Sequence, residues 1–265
     1  LNVSLSRYFF GPERDESPIP WSLRVLNFAL AFLFVTFVFY FSFQQLASPL
    51  GWKPVAKYAP LYLKGWWTTI WICLAALGLS TFIGFFFALA RRSRFLPLRY
   101  FSRLYVELVR GTPLLVQILI FFYVVAPAFQ VENRYVVGVL VLCFFEGAYI
   151  TEIIRAGIEG VGKSQLESAR AVGFTPAQTY RHVIFPQALR QTLPPLAGQF
   201  VSLIKNSSLL CIIAINEFTQ AARQVNSYTF STLESYIPLA IGYLILTLPI
   251  SLWTQHLEKR AKYET

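Results

Sequence analysis

The sequence predicts an all-α, polytopic membrane protein with six transmembrane helices and a cytoplasmic hairpin between the fourth and fifth. Three observations predict this. The 265 residues are 55% hydrophobic and 17% aromatic but only 14% charged, with mean hydropathy +0.52. A water-facing surface needs more charge than that. Six apolar stretches each approach the ~20 residues that cross a bilayer. Lysine and arginine gather on alternate connections between those stretches, as they do where loops sort to one side of a membrane.

The first stretch, 23–46, is very rich in Phe. Residues 47–65 join it to the rest, so it reads as an appendage. The second, 66–90, carries Ala76, Ser80 and Gly84 at four-residue spacing. Such a seam of small residues lets two helices approach closely. Trp52, Tyr62, Trp66, Trp67 and Trp71 cluster as an aromatic belt at one interface. The third, 104–127, should bend near its start at Gly111-Thr112-Pro113. The fourth, fifth and sixth are 135–156, 192–215 and 236–257. Three Lys or Arg lie in 1–24, six in 91–110, five in 155–190 and three in 258–265. The opposite side has three in 47–65 plus Arg134 and Arg223. This asymmetry puts both termini and the 157–190 connection in the cytoplasm.

That connection is the most informative part of the chain. Ser164-x-x-Glu167 reads as a capping box, and Thr175-Pro176-Ala177-Gln178 as a second with Pro at the first helical position. Gly173 sits between them, where a helix end favours a residue tolerant of positive φ. Two short helices with a tight corner follow, the first bearing Ser168, Ala169 and Ala171, the second Ala177, Tyr180 and Val183. Phe174, Tyr180 and Ile184 could dip into lipid headgroups, so a segment lying on the membrane is one reading. A rigid knob for a soluble partner is the other, and two capped helices at a fixed angle favour it.

Several chemistries are excluded. Cys73, Cys143 and Cys211 each lie in an apolar run, and His182 and His256 lack ligand spacing, so no metal site or disulfide framework is expected. Gly157-Ile-Glu-Gly-Val-Gly162-Lys163-Ser164 matches the phosphate-binding loop letter for letter. That loop works between a strand and a helix, whereas these residues continue a membrane span, so no nucleotide cofactor is expected. The excess of Lys+Arg, 23 against 13 Asp+Glu, suits loops facing anionic lipid rather than nucleic acid.

Polar residues inside the spans are candidates for a transport pathway. Glu146 lies near mid-span, where a carboxylate costs about 2.5–3.5 kcal/mol and must face protein or a water-filled path. Gln199, Ser202 and Asn206 share one helical face, Lys205 and Ser207 adjoin it, and Gln117 and Tyr149 add polar groups to the third and fourth spans. Two readings stay open. In one, Glu146 and Lys205 pair with each other or with nearby carbonyls and only hold helices together; in the other, Glu146 meets the cationic group of a transported solute. Glu152–Arg155 and Glu107–Arg110 read as i,i+3 ion pairs.

Glu167-Ser168-Ala169, Gly173 and Ile184-Phe185-Pro186 together resemble the cytoplasmic coupling motif of binding-protein-dependent ABC importer permeases. Gly65-Trp-Trp-Thr68-Thr69, Glu107-Leu-Val-Arg110-Gly-Thr-Pro113-Leu-Leu-Val-Gln117, Gly147-Ala-Tyr-Ile-Thr-Glu152-Ile-Ile-Arg155 and Lys205-Asn-Ser-Ser-Leu209 are similar to the polar amino-acid branch, in order, over about residues 60–260. Ser168 and Phe185 depart from the commoner Ala and Leu. The resemblance implies a five-helix permease domain over 61–265, preceded over 1–60 by an N-terminal segment, extra helix and linker. It implies a subunit of the bacterial inner membrane that is not itself an enzyme. Its partners would be an ATPase homodimer seated on 164–186, a second permease subunit, identical or paralogous, an extracytoplasmic binding protein and membrane lipid. The substrate would be a polar amino acid or a derivative such as an opine. An ion-coupled secondary transporter is the alternative, but the inverted repeats usual in that class are absent. A membrane scaffold would not need Glu146 or the polar face of the fifth span.

Overall fold

The computed structural model describes residues 21–44 and 51–262. The N-terminal segment 1–20, the end of the first expected span with part of its linker (45–50), and residues 263–265 lie outside the described residues. The chain divides into two units, 1–50 and 51–265. In the first, α1 (Trp21–Gln44) is apolar on every side. Two of its polar side chains bond within the helix: Thr36 Oγ1 donates to the Phe32 carbonyl at 2.8 Å and Asn27 Nδ2 to that of Leu23 at 2.9 Å. Apart from Arg24 near its start, such a helix suits a lipid surround.

The second unit begins earlier than the sequence suggests. Residues 51–60, expected as linker, belong to it: α2 (Trp52–Ala56) buries Val55 beside Tyr62 and Phe218, and the Gly51 amide donates to Glu234 Oε1 at 2.6 Å. Next come α3 (Ala59–Ala90), α4 (Leu96–Gly111), α5 (Leu114–Ala128) and α6 (Arg134–Glu159). They are followed by α7 (Lys163–Ala171), α8 (Pro176–Ile213), α9 (Phe218–Thr229) and α10 (Thr232–Lys262). Four of these, α3, α6, α8 and α10, are long and apolar enough to cross a membrane, as α1 is, and α4 with α5 forms a sixth, broken element.

The small-residue seam of α3 lies against α6. Ala76 and Ser80 are fully buried, and the series continues one turn further to Ala88. Thr151 on α6 donates to the Gly84 carbonyl at 3.3 Å across this contact. The aromatic belt divides. Tyr62 and Trp66 turn inward and donate to the Ser235 and Gly242 carbonyls of α10, while Trp52, Trp67 and Trp71 face outward. The core runs through Ile72, Ile118, Leu142, Leu203 and Leu210, where α3, α5, α6 and α8 meet.

The third span departs most from expectation. The axis turns by 109° between α4 and α5, so 104–127 is not one bent rod but two arms. Pro113 has extended dihedrals and no amide hydrogen, which ends one helix and starts the next. Gln117 locks the corner by donating to the Val109 and Thr112 carbonyls at 2.8 and 3.1 Å and to Thr112 Oγ1 at 2.8 Å.

Two widened turns share one cause. Ala126 N–H reaches back five residues to the Phe121 carbonyl, and Phe185 N–H to that of Tyr180. Each donor directly precedes a proline, Pro127 or Pro186. A proline ring clashes with the carbonyl four residues back, and a wider π-type turn relieves the clash. The second case lies within α8, which at 38 residues spans about 57 Å. It exceeds the hydrocarbon core by about 27 Å. The second hairpin helix and the fifth span are therefore one rod.

Candidate functional site

Glu146 lies at the middle of α6 and is only 1% exposed. Asn206 Nδ2 donates to its Oε1 at 2.9 Å, and Gln199 Nε2 donates to its Oε2. Both partners come from α8, two helical turns apart, so the polar face read from the sequence does meet this carboxylate. Ser202, between them, is half-buried. Both Glu146 partners are neutral. Lys205 is exposed and joins no ion pair among the described residues, so the Glu146–Lys205 pairing is not formed. Position 205 directly precedes Asn206, about 100° round the helix from it, and points away from the face that holds 199 and 206.

The remaining pathway candidates separate. Gln117 holds the α4–α5 corner, as described above, and is 8% exposed. Ser207 is buried with its hydroxyl on the Ile204 carbonyl at 2.7 Å, and Ser208 repeats this on Lys205 at 2.7 Å. These back-bonds accompany the tightening of the last stretch, Ser207–Ile213, into a 3-10 helix. Tyr149 packs on Phe145 and lies 5.2 Å beneath the Arg110 guanidinium.

Glu152 gathers charges from three elements. Arg155 Nη2 donates to its Oε2 at 2.8 Å, Arg91 from the end of α3 donates to Oε1, and Arg110 Nη1 stands 3.7 Å from Oε2. The expected Glu152–Arg155 pair is therefore part of a hub. The expected Glu107–Arg110 pair is replaced: Glu107 takes Arg103 Nε at 2.7 Å and Arg110 turns to α6. An i,i+4 neighbour on the outer face of α4 outcompetes the i,i+3 one, because Arg110 is drawn inward to Glu152.

In the hairpin, the second capping box is complete: Gln178 N donates to Thr175 Oγ1 at 3.3 Å and Thr175 N to Gln178 Oε1 at 2.8 Å. The first is not formed. Gly162 occupies the cap of α7 without a side-chain bond, and Ser164 and Glu167 are exposed two positions too deep in the helix to cap it. The far end of α7 is closed by Gly173 at φ +78°, with Gly173 N on the Arg170 carbonyl and Phe174 N on that of Ala169. Ala169 is 3% exposed and so faces the hairpin's interior, not a partner. Ser168, Gly173, Thr175 and Pro176 are exposed, with Val172, Phe174, Tyr180 and Phe185 as an apolar skirt. The look-alike phosphate loop binds helix to helix. Gly157 lies inside α6, where an added Cβ would collide with Thr192 of α8.

One buried group escaped the sequence reading. Glu217, fully buried, accepts from the amides of Thr219 and Gln220 at 2.7 and 2.8 Å and from the Tyr243 hydroxyl at 3.2 Å. Burial pushes its carboxyl up to about 7, against the downward pull of the Thr219 and Gln220 amides and Tyr243. It caps α9, a helix also missed. The signal was present: Phe218, Ala221, Ala222 and Val225, all buried, follow the i, i+3, i+4, i+7 pattern after an acidic cap. Arg91 and Arg110 carry no such local sign of their meeting at Glu152.

Known proteins are similar to this chain. The chain is 38% identical over 200 residues to a probable glutamine ABC transporter permease protein of Bacillus subtilis (strain 168), covering 76% of this chain and 93% of that one. It is 36% identical over 218 residues to an L-cystine transport system permease protein of the same organism, covering 81% and 93%. A chain in a crystal structure of an amino acid ABC transporter with histidines superposes with TM-score 0.75 at 34% identity, covering 80% of this chain and all of that one. Residues 80–263, from the middle of α3 to beyond α10, match the family of the binding-protein-dependent transport system inner membrane component. A bundle with an exposed, capped hairpin rooted in its longest helix, built on that sequence pattern, belongs to this family: the chain is a multi-pass membrane component of a binding-protein-dependent transport system.

Proposed function

We propose that this chain is the permease subunit of an ABC importer that carries a polar amino acid, or a derivative such as an opine, into the cytoplasm. The observation that carries this reading is the continuity of α8. One end of that rod forms the exposed hairpin arm, and Gln199 and Asn206 further along it hold Glu146. A push on Ser164–Pro186 therefore reaches the polar centre through an unbroken helix. The glutamine and cystine permeases among the relatives support the substrate class.

In this reading both termini and the hairpin are cytoplasmic, on the Lys/Arg asymmetry. An ATPase homodimer seats the exposed face of Ser164, Glu167, Ser168, Gly173, Phe174, Thr175, Pro176 and Tyr180 and performs the ATP hydrolysis. A second permease subunit, identical or paralogous, completes the path, and an extracytoplasmic binding protein delivers the solute. Residues 61–265, with 51–60 packed on them, form the permease domain. Glu146, with Gln199, Ser202, Asn206 and Tyr149, lines the path, and Glu146 receives a cationic group of the solute.

The test is reconstitution. The chain, co-expressed with the ATPase, binding protein and any second permease of its own operon, should co-purify with the ATPase at fixed stoichiometry and take up amino acid into vesicles only with ATP. Uptake driven by an ion gradient without the ATPase would overturn the reading, as would assembly with no uptake of any amino acid.

A further inference from the structure

Three guanidinium groups converge on Glu152, and they are not equivalent. Arg91 and Arg155 occupy both carboxylate oxygens with hydrogen bonds. Arg110 stands at 3.7 Å, outside hydrogen-bond range, its side chain 44% exposed. It donates no hydrogen bond among the described residues, and its only other engagement is the face of Tyr149 at 5.2 Å. A guanidinium presents five donors in a rigid fork. Inside a membrane protein such a group lies against a partner or a watered path. The corner locked by Gln117 begins at the next residue, so the fold itself holds Arg110 in this place.

Glu146, Tyr149 and Glu152 stand on successive turns of α6, each ~4.5 Å along the axis from the last. Tyr149 thus lies between two incomplete charges. On one side is a carboxylate with amide donors but no cation. On the other is a cation with no acceptor at hydrogen-bond distance. Arg91, Arg110 and Arg155 also outnumber Glu152 and Glu159, so one positive charge in this group is uncompensated.

We infer that Arg110 receives the α-carboxylate of the transported amino acid, while Glu146 takes its ammonium or cationic side chain and the body of the solute lies against Tyr149. This rests on the importer reading above. The fork of Arg110 pairs with a carboxylate through two parallel bonds, which a lysine could not do. The α-carboxylate and the side-chain cation of a basic amino acid lie on the order of one helical turn apart, while the α-ammonium adjoins the carboxylate. A site whose donor fork awaits an acceptor discriminates against an analogue that lacks that acceptor.

The test compares L-arginine and L-glutamine with their α-carboxamides, in which the carboxylate charge is removed. Binding is measured on the solubilised permease–ATPase complex without binding protein, which would impose its own selection. The free acids should bind at least about tenfold more tightly than the carboxamides. Arg110→Gln should erase that ratio, and Arg110→Lys should retain part of it. Equal binding of acid and carboxamide by the unmodified complex overturns the inference, and so does a ratio that survives Arg110→Gln. If Arg110→Gln fails to assemble with the ATPase, Arg110→Lys and the unmodified ratio decide. Failure of the importer reading looks different: the unmodified complex then takes up no amino acid at all under ATP.

Discussion

Glu146 and Glu217 are both buried carboxylates, yet their settings differ. Glu146 has two side-chain amides from a neighbouring helix, whereas Glu217 has the backbone amides of the helix it caps. Replacing Glu146 with Gln removes the charge and keeps the shape. Uptake of a cationic amino acid should fall about tenfold, the loss of one charge-assisted bond, while uptake of a neutral one changes little. Equal loss for both, with less protein in the membrane, would mean that Glu146 only joins helices. For Glu217 the carboxyl is raised to about 7 in the folded chain. A raised acid contributes stability that is fully present below its unfolded value and lost as pH rises through its folded one. The thermal midpoint of the purified complex should therefore drop between about pH 5 and pH 8, the contribution being on the order of 3 kcal/mol. Glu217→Gln should flatten that part of the profile, and an unchanged slope in this variant would refute the assignment.

Among the elements, the hairpin was the most legible in advance and α4–α5 the least. Thr175 to Gln178 forms its cap from four adjacent residues, and Gly173 its corner from one backbone angle. Such local signals survive into the fold because nothing distant competes with them. Ser164–Glu167 shows the opposite case. Gly162 begins α7 earlier, and the same letters end up inside the first turn. The corner before α5 was visible as Gly-Thr-Pro, but its 109° angle depends on Gln117 reaching back over it. Gly173→Val would force a branched side chain into positive φ at about 1–3 kcal/mol, and Thr175→Ala would remove a cap worth about 1 kcal/mol. Both should loosen the hairpin without unfolding the bundle. ATPase co-purification should fall in the order native, Thr175→Ala, Gly173→Val. Retention of the full complement by Gly173→Val would show that the corner is not what the partner grips.

At the scale of the whole molecule, residues 1–50 form a unit of their own, and the family match lies within the rest. A chain starting at Gly51 keeps the buried Val55 contact and the Glu234 bond. It should assemble and transport within about twofold of the full chain, since a unit with its own core folds alone. Loss of assembly on this truncation would make α1 a necessary part of the transporter rather than an addition.

The sequence by itself determined the class, the positions of five apolar rods, the exposed capped hairpin and the polar stripe of α8. Each depends on neighbours within one or two helical turns, where periodicity and capping act directly. Only the tertiary structure decided that Glu146 meets Gln199 and Asn206 instead of Lys205, that Arg91 and Arg110 join Arg155 at Glu152, and that Ala169 turns inward. Those outcomes depend on how helices far apart in sequence rotate about their axes. That rotation is set by summed packing of small residues along the seams, which no single segment encodes.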